Sequence, residues 1–263
     1  MTKKMTLSSI LKAKGNKPLV MITAYDALFA SLFEDSCDMI LVGDSLNMSF
    51  AGKSDTISAT LDQMIYHTNA VCSGAKNSFV ICDMPFGTYT NKDAALKNSI
   101  KVFQETNADC VKIEGGIDKA GIVKHLTSNA IAVCGHIGLL PQSVRSEGGY
   151  KVKGKTNQEA LSLIADARAI EEAGAFCMVI EGVKAEVAEE VAKSVDIPVI
   201  GIGAGANVDG QVLVFSDMLG LFEAFTPKFV KKYIDGASVV RGAVQNYADE
   251  VQTKEFPQEI HTY

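Results

Sequence analysis

One local pattern repeats along this chain and leaves few folds open to it. A short apolar run is followed by a glycine or an ionisable residue, and then by a stretch with helical spacing. The runs lie at residues 19–23, 39–42, 78–82, 110–113, 131–134, 176–180, 197–200 and 211–215. They are near-continuous rather than strictly alternating, as strands are when both faces of a sheet are covered. Between most of them, apolar residues recur every three or four positions, which predicts helices over 27–36, 61–72, 91–105, 118–126, 157–173 and 185–194. Strands alternating with helices predict a parallel sheet. Eight such units in 263 residues fit a (β/α)8 TIM barrel. A doubly wound open sheet is the alternative. The seventh crossover, between Ile202 and Gln211, is too short for a full helix. No Pro/Gly/Ser-rich linker divides the chain, so residues 1–263 are read as a single barrel domain. It carries an N-terminal extension and two C-terminal helices, expected at 227–233 and 237–251.

Composition narrows the class. The chain is 47% apolar, enough for a large core. A net charge of −6 gives no electrostatic footprint for nucleic acid or for an anionic membrane surface. None of the six cysteines forms a C-x-x-C pair, and most lie in apolar runs. This predicts free thiols in a reducing cytoplasm. The lysine-rich segment 1–17 has apolar runs too short for a signal peptide. No run approaches the roughly 20 apolar residues of a membrane span.

Chemistry is concentrated where the apolar runs stop. In Cys110-Val111-Lys112-Ile113-Glu114-Gly115-Gly116, Lys112 and Glu114 share one side of a strand. Opposite charges there are costly unless they pair or bind something. The two glycines permit a sharp turn or close approach of a ligand. Other runs end on Asp26, Asp44-Ser45, Asp83, His136 and Glu181, and one ends in the glycine turn 201–205. In a barrel all of these rise to the carboxyl-end face.

Several carboxylates gathered there repel one another unless a cation neutralises them. An all-oxygen donor set suits Mg2+, which keeps open positions for a chelating substrate. Asp44 and Asp83 are equally readable as helix N-caps or Asx-turns. Glu114 and Glu181 are poor caps. Lys112 either pairs with Glu114 or faces a substrate, and His136 either holds a loop or contacts substrate. Asp26 is read as a helix cap and His67 as structural. The glycine turn is a weak phosphate-cradle motif.

Several motifs act together. They include Thr23-Ala24-Tyr25-Asp26, Val42-Gly43-Asp44-Ser45, Tyr66-His67-Thr68, Asp83-Met84-Pro85-Phe86 and Val111-Lys112-Ile113-Glu114-Gly115-Gly116. Cys134-Gly135-His136-Ile137-Gly138, Pro141-Gln142-Ser143, Gly148-Gly149-Tyr150-Lys151-Val152 and Pro198-Val199-Ile200-Gly201-Ile202-Gly203-Ala204-Gly205 belong to the same set. From about Thr23 to Tyr247 the chain resembles the ketopantoate hydroxymethyltransferase family. It departs at Leu140, where the family often has Thr, and over residues 218–223.

The resemblance implies a barrel of the phosphoenolpyruvate/pyruvate type. It implies Mg2+ at Asp44, Asp83 and Glu114, and a 2-oxoacid touching Asp44, Ser45, Asp83 and Lys112, to which the residue reading adds His136. Glu181 would be the catalytic proton acceptor. It further implies 5,10-methylenetetrahydrofolate as one-carbon co-substrate, and an Mg2+-stabilised enolate of 3-methyl-2-oxobutanoate. The product would be ketopantoate for pantothenate and coenzyme A, made by a homodecamer built as a pentamer of dimers. The competing readings are an Mg2+-dependent carbon–carbon lyase or mutase on the same barrel, a catalytically silent barrel, and a phosphosugar enzyme.

Overall fold

The computed structural model describes residues 4–223 and 225–263, so the first three residues of the lysine-rich N-terminal segment lie outside the described residues. The chain divides into two compact units, residues 1–214 and 215–263.

The first unit is the barrel. Its strands are β1 (Leu19–Thr23), β2 (Met39–Val42), β3 (Phe79–Asp83), β4 (Cys110–Glu114), β5 (Val133–Gly138), β6 (Cys177–Glu181), β7 (Val199–Ile202) and β8 (Gly210–Leu213). They pair in sequence order, all parallel, and β8 returns to β1 to close the sheet. Around them run α2 (Ala27–Phe33), α3 (Leu46–Ser49), α4 (Leu61–Gly74), α5 (Lys92–Glu105), α6 (Ile117–Thr127), α7 (Val144–Glu147), α8 (Asn157–Glu172) and α9 (Ala185–Lys193). No helix forms between β7 and β8, as the short crossover predicts. The helices start where capping chemistry places them. Thr60 and Gln63 form a reciprocal capping box at α4, and Asp26 Oδ1 accepts from Phe29 N at 2.9 Å at α2, the cap expected of it.

Side-chain alternation decides what fills the barrel. Met39 and Leu41, Phe79 and Ile81, Cys110, Cys134, Cys177 and Val179, and Ile200 and Ile202 belong to one buried cluster. They sit two residues apart along their strands, so they share the inner face. Counting on by two from the same residues gives Asp83, Lys112, Glu114, His136 and Glu181. The parity that packs the interior therefore lifts the ionisable groups to the carboxyl-end mouth. The cysteines are all free, four of them fully buried.

The opposite end is closed by α1 (Leu7–Ala13), a helix the sequence reading did not anticipate. Its Ile10 and Ala13 join the interior cluster. Burying a side chain the size of Ile10 contributes roughly 1.5–3 kcal/mol. Aspartates stitch this end. Asp38, Asp109 and Asp209 each accept a backbone N–H from a neighbouring strand (Val20, Val80 and Val199, each at 2.9 Å). Each also pairs with a lysine, respectively Lys17, Lys4 and Lys14.

The second unit holds the short helix α10 (Phe215–Met218), the long helix α11 (Gly236–Thr253) and a 3-10 turn at Glu259–His261. The helix expected at 227–233 does not form. Lys228, Lys231 and Lys232 would share one helical face and repel. The backbone instead pairs elsewhere: Tyr233 N donates to Met218 O at 2.8 Å and Gly236 N to Leu219 O at 2.9 Å. Only one turn survives, where Val230 N reaches Pro227 O.

Candidate active site

At the mouth, β3, β4, β5 and β6 each run one or more residues further than their apolar runs. Asp83, Glu114 and Glu181 are the last residues of their strands, and His136 lies within β5, which continues to Gly138. The register sets Asp83 beside Lys112 and Glu114 beside His136. Gly138 (φ +95°) lets β5 pass close to β6, since a Cβ there would lie 2.4 Å from Glu181 O.

Gly115 and Gly116 serve packing rather than a ligand's approach. A Cβ on Gly116 would collide with Asp166, whose Oδ1 accepts Ile117 N at 2.9 Å, and one on Gly115 would collide with Lys119.

Lys112 is the hub. Its Nζ lies 2.8 Å from Asp83 Oδ1, 3.8 Å from Glu114 Oε1 and 3.1 Å from His136 Nδ1. The Lys112–Asp83 contact is a buried ion pair that engages Asp83 Oδ1. Asp83 Oδ2 accepts Asp44 N at 3.0 Å. Asp44 does not cap α3: its Oδ2 accepts Gln142 Nε2 at 2.9 Å. Ser45 Oγ meets Tyr25 OH at 2.8 Å. Glu114 Oε2 accepts Gln142 N at 3.1 Å, and its Oε1 lies 3.6 Å from His136 Nδ1. The other ring nitrogen, Nε2, is 3.3 Å from Glu181 Oε2. His67 Nδ1 meets Tyr25 O at 2.7 Å, a scaffold role.

The electrostatics follow from burial. Asp44, Asp83, Lys112, Glu114 and His136 are all buried, whereas the Glu181 side chain keeps 19% of its surface exposed. Burial pushes the Asp44 carboxyl well above its ordinary range, and Asp83 and Glu114 push it further against the pull of Lys112 and Gln142. Burial also raises Asp83, opposed by Lys112. Burial works against charge on Lys112, but Asp83, Glu114 and Asp44 outweigh it and hold the ammonium charged. Glu114 resists burial too, because His136, Lys112 and the Gln142 N–H keep it below the usual carboxylate range. Burial and Lys112 oppose a charge on His136, yet Glu114 and Glu181 push its pKa up to about 9. In the neutral ring, Lys112 can donate only to a bare Nδ1, which leaves the proton on Nε2 facing Glu181.

A hard divalent cation fits this chemistry. Asp44 and Asp83 are buried carboxylates, and the one cation in contact with Asp83 Oδ1 among the described residues is the Lys112 ammonium. Glu114 Oε2 is taken by Gln142 N, and its Oε1 lies 3.6 Å from His136 Nδ1 and 3.8 Å from Lys112 Nζ. Among the described residues, no three His, Cys, Asp or Glu side chains are grouped to hold a metal by themselves. Two protein carboxylates, completed by water and substrate oxygens, are the usual complement for Mg2+.

The structure brings all seven predicted site residues, Asp44, Ser45, Asp83, Lys112, Glu114, His136 and Glu181, to the mouth. Sequence reasoning assigned no role to Tyr89 or Gln142. Tyr89 OH donates to Gln142 Oε1 at 2.5 Å. Neither carries charge, so only the Pro141-Gln142-Ser143 motif offered a signal.

A closed parallel barrel with buried carboxylates, a lysine and a histidine at its carboxyl mouth defines a (β/α)8 enzyme. Solved structures of the same fold include 2,3-dimethylmalate lyase, a PEP mutase/isocitrate lyase superfamily member (TM-score 0.61, 16% identity, covering 97% of this chain and 91% of that one). Phosphoenolpyruvate phosphomutase from Streptomyces platensis subsp. rosaceus is another (TM-score 0.63, 12% identity, covering 95% and 88%).

A profile of the ketopantoate hydroxymethyltransferase family matches residues 4–259. The 3-methyl-2-oxobutanoate hydroxymethyltransferase of Sulfurimonas denitrificans is 78% identical over the whole of both chains. That of Aliarcobacter butzleri is 66% identical over 99% of this chain and 97% of its own. The chain belongs to the ketopantoate hydroxymethyltransferase family and is an enzyme. Among the described residues, no helix is long and apolar enough to cross a membrane.

Proposed function

We propose that the enzyme transfers a hydroxymethyl group from 5,10-methylenetetrahydrofolate to 3-methyl-2-oxobutanoate. The product is ketopantoate, for pantothenate and coenzyme A synthesis. The observation that carries this reading is the junction of two kinds of group at one mouth: a buried, cation-seeking pair of aspartates and a part-exposed carboxylate, Glu181, steered by a histidine.

Asp44 and Asp83 would hold Mg2+, with Glu114 behind them, and the ion would supply Lewis-acid stabilisation of charge on the 2-oxoacid oxygens. Lys112 places fixed positive charge beside the substrate carboxylate. Ser45, oriented by Tyr25, offers a hydroxyl to the same substrate.

Glu181 removes the C3 proton as general base, and contact with His136 Nε2 fixes the position of its carboxylate. Water adds to the methylene carbon of the folate iminium, and the C–N5 bond breaks to release the folate amine and formaldehyde. The C3 carbanion, delocalised into the oxoacid, attacks the formaldehyde carbon, and the alkoxide formed takes up a proton to give the hydroxymethyl product.

The six free cysteines support a cytoplasmic setting. Exposed Val240, Val244, Tyr247 and Val251, spaced four, three and four apart along α11, support assembly into an oligomer, read as a homodecamer.

The test is exchange of the C3 hydrogen of 3-methyl-2-oxobutanoate for deuterium, followed by NMR, with and without Mg2+ and folate. Metal-dependent exchange without folate, and transfer only with it, is the expected result. No exchange under any condition would remove the proposal.

A further inference from the structure

We infer that Gln142 is a positioning residue, locked by Tyr89, that sets Asp44 and Glu114 for the reaction. It rests on the reading of the barrel mouth as the reaction centre. Gln142 sits in the 3-10 turn Pro141–Ser143, in the loop that follows β5, and is 6% exposed. From there it reaches two carboxylates on other strand ends. Its backbone N–H donates to Glu114 Oε2, and its side-chain Nε2 donates to Asp44 Oδ2. The same Nε2 donates to Met84 O at 3.0 Å, beyond β3.

The orientation of the amide is over-determined. Met84 O presents only an acceptor, so the NH2 end must face it, and Asp44 Oδ2 lies on the same side. Tyr89, itself 6% exposed, donates to the remaining Oε1. Every side-chain hydrogen-bonding group of Gln142 is therefore spoken for, in a buried site where an unmet partner is costly.

The consequence concerns Asp44. Occupying Oδ2 from the loop side orients the carboxylate and leaves Oδ1 as the oxygen for a cation or substrate. The loop and the acidic site are thus set together, and Tyr89 supplies the stop that keeps the amide from turning over.

Gln142→Met separates this role from bulk packing. It keeps the side chain's size and the backbone bond to Glu114, and removes only the amide. Tyr89→Phe removes the hydroxyl alone. Mn2+ binding followed by water-proton relaxation, C3 deuterium exchange, and a crystal structure of each variant provide the readouts. A hydrogen bond to a charged group corresponds to roughly a 10- to 100-fold change. Gln142→Met is expected to weaken Mn2+ binding by that factor, and Tyr89→Phe by less. Both should melt somewhat below the wild type, because buried partners are left unmet, yet remain folded, and show Asp44 turned from its place.

Wild-type Mn2+ affinity and exchange in Gln142→Met would overturn the inference and leave the functional reading intact. If the wild type neither binds Mn2+ nor exchanges C3, the functional reading fails instead. The crystal structure then decides: an unmoved Asp44 in Gln142→Met overturns the inference, and a displaced one upholds it.

Discussion

Lys112 Nζ and Asp83 Oδ1 lie 2.8 Å apart across the β3–β4 pair, with both side chains about 4% exposed. The lysine faces Asp44, Asp83 and Glu114, which together hold its charge. Removing one partner of a buried pair leaves the other uncompensated, at a cost of about 3–5 kcal/mol. Lys112→Met should therefore destabilise the metal-free protein by about that amount, read as a lower urea midpoint at unchanged slope. Asp83 and Lys112 replaced together by apolar residues should cost less than Lys112→Met alone.

Glu181 has the opposite character. Its exposure and single histidine contact make it dispensable to the fold. Glu181→Gln should keep the melting temperature and the affinity for the oxoacid measured by calorimetry. C3 exchange should fall by roughly 10²- to 10⁴-fold, the usual contribution of a general base. Exchange at the wild-type rate would take Glu181 out of that role.

Cation dependence should track the two aspartates. Chelator should abolish C3 exchange, and added Mg2+ should restore it. Asp83→Asn should need at least tenfold more Mg2+ for half-maximal exchange, because an amide ligates the ion more weakly than a carboxylate. Exchange indifferent to chelator would count against Mg2+ at this site.

Asp209 tests the other end of the barrel. It accepts Val199 N and Gly15 N and pairs with Lys14. Asp209→Ala strands these groups and should lower stability by roughly 2–4 kcal/mol. KM for the oxoacid should stay as in the wild type, since catalysis in such barrels sits at the carboxyl face. A raised KM with normal stability would contradict that division of labour.

Asp217 gives a pH-dependent outcome. Burial raises its pKa from 3.8 to about 6, partly offset by Lys232. A raised carboxyl means that the folded form binds the proton more tightly. Its ionisation therefore costs stability progressively between pH 3.8 and 6, and fully above. Asp217→Asn should stabilise by roughly 1 kcal/mol at pH 8, discounted for its partial exposure, with the gain vanishing near pH 4. Thermal melts at the two pH values decide it.

Much of the barrel was legible because parallel strands covered on both faces must be apolar throughout. The ionisable residues that break those runs therefore stand out at their ends. His136 was read just past its strand, whereas β5 carries on through it to Gly138. Helix α1 passed unseen although Leu7, Ile10 and Leu11 hold helical spacing, because it is only seven residues long and sits in a lysine-rich segment. The expected helix at 227–233 had adequate local spacing but lost its backbone to residues 218 and 219.

The ionisable residues at the ends of the apolar runs, Asp83, Lys112, Glu114, His136 and Glu181, were legible in the sequence itself, because apolar continuity is a local property that any reader of the chain can count. The pairing of β8 with β1, which excludes the open sheet and brings those ends to one mouth, was decided by the tertiary structure. Only the tertiary structure decided that Gln142 holds Asp44 across 98 residues of chain, that Tyr89 orients Gln142, and that Gly116 yields to Asp166. Each of those contacts has a neutral member, Gln142, Tyr89 or Gly116, that shows neither periodicity nor charge, and only closure of the barrel brings the members within reach.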